Sequence, residues 1–149
     1  MMKAKIFYPG QQSITLDLVL FIIRLVCGYI FITTGSGKIG HPFNWMGPDS
    51  SFPGFFQFLA AISEYIGGFA LILGLITRLA SFGIGCTMIV AIYVMRFNYH
   101  MPFISNTGGP ASDLPTLLLM MAILLFVAGP GRFSLDHLVF GRKFKIQHS

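Results

Sequence analysis

Two ionisable residues stand where a chain can least tolerate them. Arg24 lies inside LDLVLFIIRLVCGYIFITTG and Glu64 inside FFQFLAAISEYIGGFALILG, both apolar runs otherwise almost free of charge. An ionisable side chain near the middle of a bilayer costs roughly 2.5–3.5 kcal/mol on insertion scales, so such residues normally face a protein interior and find a partner. A paired arginine and glutamate could fix helix register. They could also bind an anionic head and move a proton. Each heads a stripe: Arg24, Gly28, Phe31, Gly35 and Lys38 on one run, and Glu64, Gly67 or Gly68, Leu71, Gly74 and Arg78 on the other. Steps of three and four keep each set on one helix face, and glycines there let membrane helices approach closely.

Whether Arg24 and Glu64 form a pair depends on depth. Each lies 14 positions from a flanking cation, Lys38 or Arg78, which is about 21 Å of helix. If those cations mark the edges of a ~30 Å hydrocarbon core, the two Cα atoms differ in depth by about 12 Å; if they reach headgroups ~40 Å apart, the two are nearly level. Side chains lean toward the helix N-terminus, so on antiparallel helices these two lean apart. Other partners are available. Asp17 lies two turns below Arg24, and Arg96 or His100 could approach Glu64 from outside.

The remaining polar residues define less. His41, Trp45, His100 and Asp113 fall in two loops that also carry Pro, Gly and aromatics, 39–54 and 98–113. These loops suit an interfacial aromatic belt, or a lid over a pocket that opens to lipid. His41, His100 and Asp113 have no metal-ligand spacing, and no metal site is expected. Cys27 and Cys86 form no Cys-x-x-Cys pair and read as small buried apolar residues. His137 and His148 read as solvated. Asp136, after the turn GPGR, is expected to cap or pair at the membrane interface. No Ser/His/Asp arrangement, phosphate loop or haem motif is present, so catalytic residues remain unassigned.

The elements that must position these residues follow from composition. Of 149 residues, 54% are hydrophobic and only 10% charged, against roughly 25% charged in an ordinary soluble domain. One small core cannot hide that much apolar surface from water, so the expected solvent is lipid. Apolar stretches over 16–35, 55–76, 79–97 and 114–129 give four transmembrane helices, with Thr77 and Arg78 alone linking the second and third. The expectation is a single domain over 1–149, all-α, an integral membrane four-helix bundle of antiparallel up-down topology. The first stretch is too long for a secretory signal core and lacks an Ala-x-Ala-like exit.

Basic residues then set orientation. Lys3, Lys5, Arg78, Arg132, Arg142, Lys143 and Lys145 fall on one side, and Lys38 and Arg96 on the other, which argues for cytoplasmic termini. Lys38, Arg78, Arg132 and Asp136 are the expected interface anchors. The basic tail 141–149 reads as a solvated end drawn to anionic lipid. The net charge of +5 is accounted for by topology, and nucleic acid is not an expected partner.

Three motifs in order carry a resemblance. RLVCGYIFITTGSGKI, EYIGGFALILGLITRLAS and GPGRFSLD resemble the Arg-Leu…Gly…Lys, Glu-Gly-Gly…Gly-Leu-x-Thr-Arg and closing motifs of the DoxX family of bacterial membrane proteins, over roughly 16–138. Thr34 departs from the family, which often has His before the glycine. Asp113 stands near a position where many relatives carry Glu. The resemblance implies a four-helix fold in the bacterial inner membrane, with redox biology as its loose functional setting. Arg24 and Glu64 are the residues it carries over. Relatives include a small subunit of thiosulfate:quinone oxidoreductase and partners of thiol-stress enzymes. The reading that follows is an oxidoreductase-associated subunit with a quinone or small sulfur compound near Glu64 and a redox enzyme or a second copy as partner. The alternative is a non-catalytic scaffold that anchors or assembles another protein. A transporter is disfavoured, since four short helices leave little room for alternating access.

Overall fold

The computed structural model describes residues 13–48, 50, 52–105 and 108–139. The expectations for Lys3, Lys5, Arg142, Lys143, Lys145 and His148, and for the tail 141–149, lie outside them. Helix α1 spans Ile14–Ile39 and opens on Ser13, whose hydroxyl accepts from the Leu16 N–H at 3.3 Å. Helix α2, Gly54–Leu73, begins after Pro53, a residue that cannot continue a preceding ladder. Helix α3, Thr77–Tyr93, runs on into a π-helical turn over Val94–Asn98. Helix α4 spans Asp113–Ala128. Among the described residues the architecture is all-helical.

The second helix stops earlier than its apolar run. Gly74 takes a left-handed conformation with φ 65°, which glycine adopts without a Cβ clash. The turn is therefore 74–76, and Thr77 and Arg78 open α3 rather than forming the linker. Ile76 is also left-handed, with φ 45°, a costly conformation for a β-branched residue. It is held there by Asp136, as described below.

Helices α1 and α2 pack along their length, as do α3 and α4; α2 meets α3, and α4 touches α1 only slightly. The α1–α2 crossing is built on glycine. A Cβ on Gly35 would lie 2.6 Å from the Tyr65 backbone nitrogen, and one on Gly68 would lie 2.9 Å from the Gly28 carbonyl oxygen. These contacts set an antiparallel register with Gly35 opposite Tyr65, Gly28 opposite Gly68 and Arg24 opposite Gly74. The buried core between the helices is apolar: Leu20, Cys27, Phe31, Leu71, Ile84, Met88, Leu118, Ala122 and Leu125. Outside it, large apolar side chains such as Ile22, Tyr29, Ile66, Phe82, Leu117 and Val127 stand exposed on every helix. That distribution suits lipid as the solvent. Helices α1, α2 and α3 with its π turn are long and apolar enough to cross a membrane. At 16 residues, or about 24 Å, α4 is shorter than the ~30 Å hydrocarbon core.

Cys27 is buried as expected, whereas Cys86 is exposed on the outer surface of α3. An apolar neighbourhood in a membrane helix does not distinguish core from lipid face, which is why sequence placed it inside.

Candidate functional site

The structure separates Arg24 from Glu64 and gives each a different partner. Lys38 Nζ lies 2.6 Å from both Glu64 carboxylate oxygens, with Glu64 2% and Lys38 21% exposed. In the helix register Glu64 stands level with Gly35, eleven positions or about 16 Å along α1 from Arg24. Side-chain lean supplies the reason. Lys38 leans back along α1 toward the membrane interior, and Glu64 leans along antiparallel α2 toward the same level, so the two converge while Arg24 and Glu64 diverge. Of the partners open to Glu64, the structure gives it Lys38 rather than the candidate Arg24, and Lys38 is more than an interface anchor.

The loop 40–53 closes over this pair. The Trp45 ring lies with its centroid 4.5 Å from Lys38 Nζ, a cation–π arrangement favoured where water is excluded. Trp45 is held by its Nε1–H, which donates to the Gln57 carbonyl at 2.9 Å. The Gln57 side chain, 2% exposed, holds the loop at two more points. Its Oε1 accepts from the Met46 N–H at 3.1 Å and its Nε2 donates to the Phe52 carbonyl at 2.9 Å. Phe43 stacks on Phe58 of α2 with ring centroids 4.7 Å apart. Gln57 escaped the reading of sequence, although a signal existed: Gln57, Ala61 and Glu64 share one face at steps of four and three.

Of the residues expected in an outer pocket, Trp45 alone reaches the pair. His41 and His100 are exposed, and Asp113 accepts from the Leu114 N–H at 2.8 Å at the start of α4. Arg96 donates to the Met101 carbonyl at 3.4 Å and does not serve Glu64. Among the described residues no group of three or more His, Cys, Asp or Glu could hold a metal ion.

At the opposite end, Arg24 is fully buried. Its Nη2 donates to the Phe133 carbonyl, and its Cζ lies 5.7 Å from the Phe21 ring centroid. Asp17 does not pair with Arg24. It takes Arg132 instead, with Nε–Oδ2 at 3.2 Å and the Arg132 N–H donating to Oδ1 at 3.1 Å. Asp136 accepts from the Ile76 N–H at 2.7 Å and the Thr77 N–H at 3.0 Å, and its own N–H donates to the Gly74 carbonyl at 2.9 Å. Arg78 donates to the Val127 carbonyl at 3.3 Å. Residues 129–139 therefore form a strap, tied to α1 by Asp17 and Arg24 and to the α2–α3 turn by Asp136. Asp136 acts as the N-cap of α3 from a distant segment, which stabilises the strained Ile76.

Long apolar helices with lipid-facing exteriors and a few charges paired or buried inside define a helical membrane protein. The sequence profile of the DoxX family matches residues 19–97, from α1 through the π turn, and the chain belongs to that family. It is similar to the membrane protein Rv3486 of Mycobacterium tuberculosis, 33% identical over 126 residues covering 76% of this chain and 77% of that one. It is also similar to inner membrane protein YqjF of Escherichia coli, 29% identical over 126 residues covering 83% and 93%. A third relative, "Putative oxidoreductase CatD" of Bacillus subtilis, is 30% identical over 128 residues covering 82% and 87%. No solved structure matches.

Proposed function

We propose that the protein is a membrane subunit of a redox system, with the Lys38–Glu64 pair under Trp45 as its working site. The observation that carries this reading is a buried carboxylate held at 2.6 Å by an ammonium group that is itself part-exposed and covered by an indole ring. A quinone, when bound, supplies two-electron, two-proton chemistry. The residues fit its head: Trp45 offers a flat face, the Lys38 ammonium can donate to a carbonyl oxygen, and Glu64 can hold or release a proton beside it. Electrons would come from a redox enzyme partner. The oxidoreductase name borne by the relative CatD supports the same direction.

In this reading the chain forms one domain whose four helices all span the bacterial inner membrane. Both termini face the cytoplasm, and the Lys38 end faces outward. A second reading, a scaffold for a partner protein, draws on the strap. There Arg24, Asp17 and Asp136 all serve to fasten one segment of chain.

The test is purification in native lipid, followed by mass spectrometry of bound small molecules for wild type and Glu64→Gln. Quinone retained by wild type and lost from a folded Glu64→Gln protein is the expected result. Absence of quinone from both, with a protein partner retained by both, would leave the scaffold.

A further inference from the structure

The node around Arg24 is a second polar site, separate from the Lys38–Glu64 pair. Arg24 is 0% exposed, yet among the described residues only its Nη2 has a hydrogen-bond partner, and Nε and Nη1 have none. A guanidinium carries five N–H donors and cannot shed its charge, so unpaired donors at a fully buried site are a demand for an acceptor. The buried Thr77 hydroxyl also lacks a partner. Thr77 borders the same node: its N–H is held by Asp136, whose own N–H donates to the Gly74 carbonyl. Gly74 is the residue against which the Arg24 guanidinium packs.

Charge decides what the acceptor can be. Asp136 stands beside the guanidinium across Gly74, whose carbonyl its N–H holds, although its two oxygens already serve the Ile76 and Thr77 N–H groups. Arg24 and Asp136 together are neutral. An anion entering this enclosed space would bring an uncompensated charge into a low dielectric, whereas a neutral oxygen would satisfy the free donors without one. We infer that Arg24, Thr77 and the strap enclose a binding site for a neutral acceptor oxygen, supplied by water or by the uncharged polar head of an amphiphile. Water has the further property of donating onward to Asp136, which joins the two charges through a bridge.

The experiment uses the full chain in lipid bilayers with ¹⁵N-labelled arginine. The Arg24 Nε–H signal is assigned by its loss in Arg24→Lys and read by solid-state NMR for contacts with water or ligand protons. In parallel, amphiphiles bound to wild type and to Thr77→Val, which keeps the shape of the side chain, are quantified by mass spectrometry. A water contact at Nε–H with equal amphiphile in both proteins supports the site and assigns it to water. A contact with ligand protons, and a neutral amphiphile that falls at least tenfold in Thr77→Val, supports the site and assigns it to a lipid-borne head. Contacts with protein protons alone, or a bound anion, would overturn the inference.

Discussion

Removing the Lys38 ammonium should cost more than removing the Glu64 carboxylate. Deleting one partner of a buried ion pair leaves the other charge uncompensated, at about 3–5 kcal/mol. Lys38→Met strands Glu64, which is 2% exposed and whose ion pair among the described residues is with Lys38. Because Lys38 is 21% exposed, part of the pair's attraction is screened, so the lower end applies: about 3 kcal/mol, or a fall in melting temperature of roughly 6–12 °C for a chain of this length. Glu64→Leu strands a lysine whose long stem can carry its ammonium toward the headgroups, at a cost of about 1 kcal/mol. Lys38→Met/Glu64→Leu, with apolar groups in place of both, should return close to wild type, giving a coupling energy on the order of 4 kcal/mol, the sum of the two single costs.

The chain carries one tryptophan, and it is Trp45 that covers the pair. Its emission is therefore a native probe of the site, followed during thermal unfolding in nanodiscs. Lys38→Met should also shift that emission before any unfolding, since the cation leaves the ring face. The reasoning is refuted if Glu64→Leu proves the more damaging change, or if the two single effects simply add in the double variant.

Gln57→Leu should free the loop 40–53 by leaving the Met46 N–H and the Phe52 carbonyl unpaired, at about 2–3 kcal/mol; acrylamide quenching of Trp45 should rise. Gly74→Ala places a Cβ in a left-handed residue and into the Arg24 guanidinium, so it should lower the melting temperature by more than the 1–2 kcal/mol of conformation alone, while Gly37→Ala, which meets nothing within 4 Å, stays within about 0.5 kcal/mol. Gly68→Ala sets a methyl group 2.9 Å from backbone atoms of α1 and should cost about 1–3 kcal/mol, seen as a lower melting temperature and poorer yield from membranes.

The transmembrane character was legible because composition leaves so little alternative. So were the glycine faces, since Gly28, Gly35 and Gly68 lie where the periodic stripes put them and carry close backbone contacts between α1 and α2. Partner choice was harder. Sequence spacing supplied the direction in which Arg24, Lys38 and Glu64 lean, but not the depth of α2 against α1, and it is depth that brings Lys38 rather than Arg24 to Glu64. Contacts between helices and loops were harder still. Gln57 acts by reaching back to Met46 and Phe52, a contact that no helical period encodes, and Asp136 caps a helix that begins 59 residues before it. Cys86 misled because lipid rewards an apolar environment on both faces of a helix.

The two polar clusters also constrain how the protein could handle protons. Between them lie Cys27, Gly28, Phe31, Gly68 and Leu71, an apolar stretch in which backbones nearly touch. The hydroxyls of Thr33 and Thr34, near the same level, bond back to carbonyls of their own helix. Among the described residues a proton bound for Glu64 therefore has no chain of titratable groups leading from Arg24, and the group that meets it toward the membrane surface is Lys38, the part-exposed member of the pair. Any proton-coupled step at Glu64 should accordingly draw on the bulk phase at the Lys38 end alone. In proteoliposomes of uniform orientation, acidifying the lumen or the outside would affect such a step from one side, and an equal response to both would mean that the core opens further than its packing suggests.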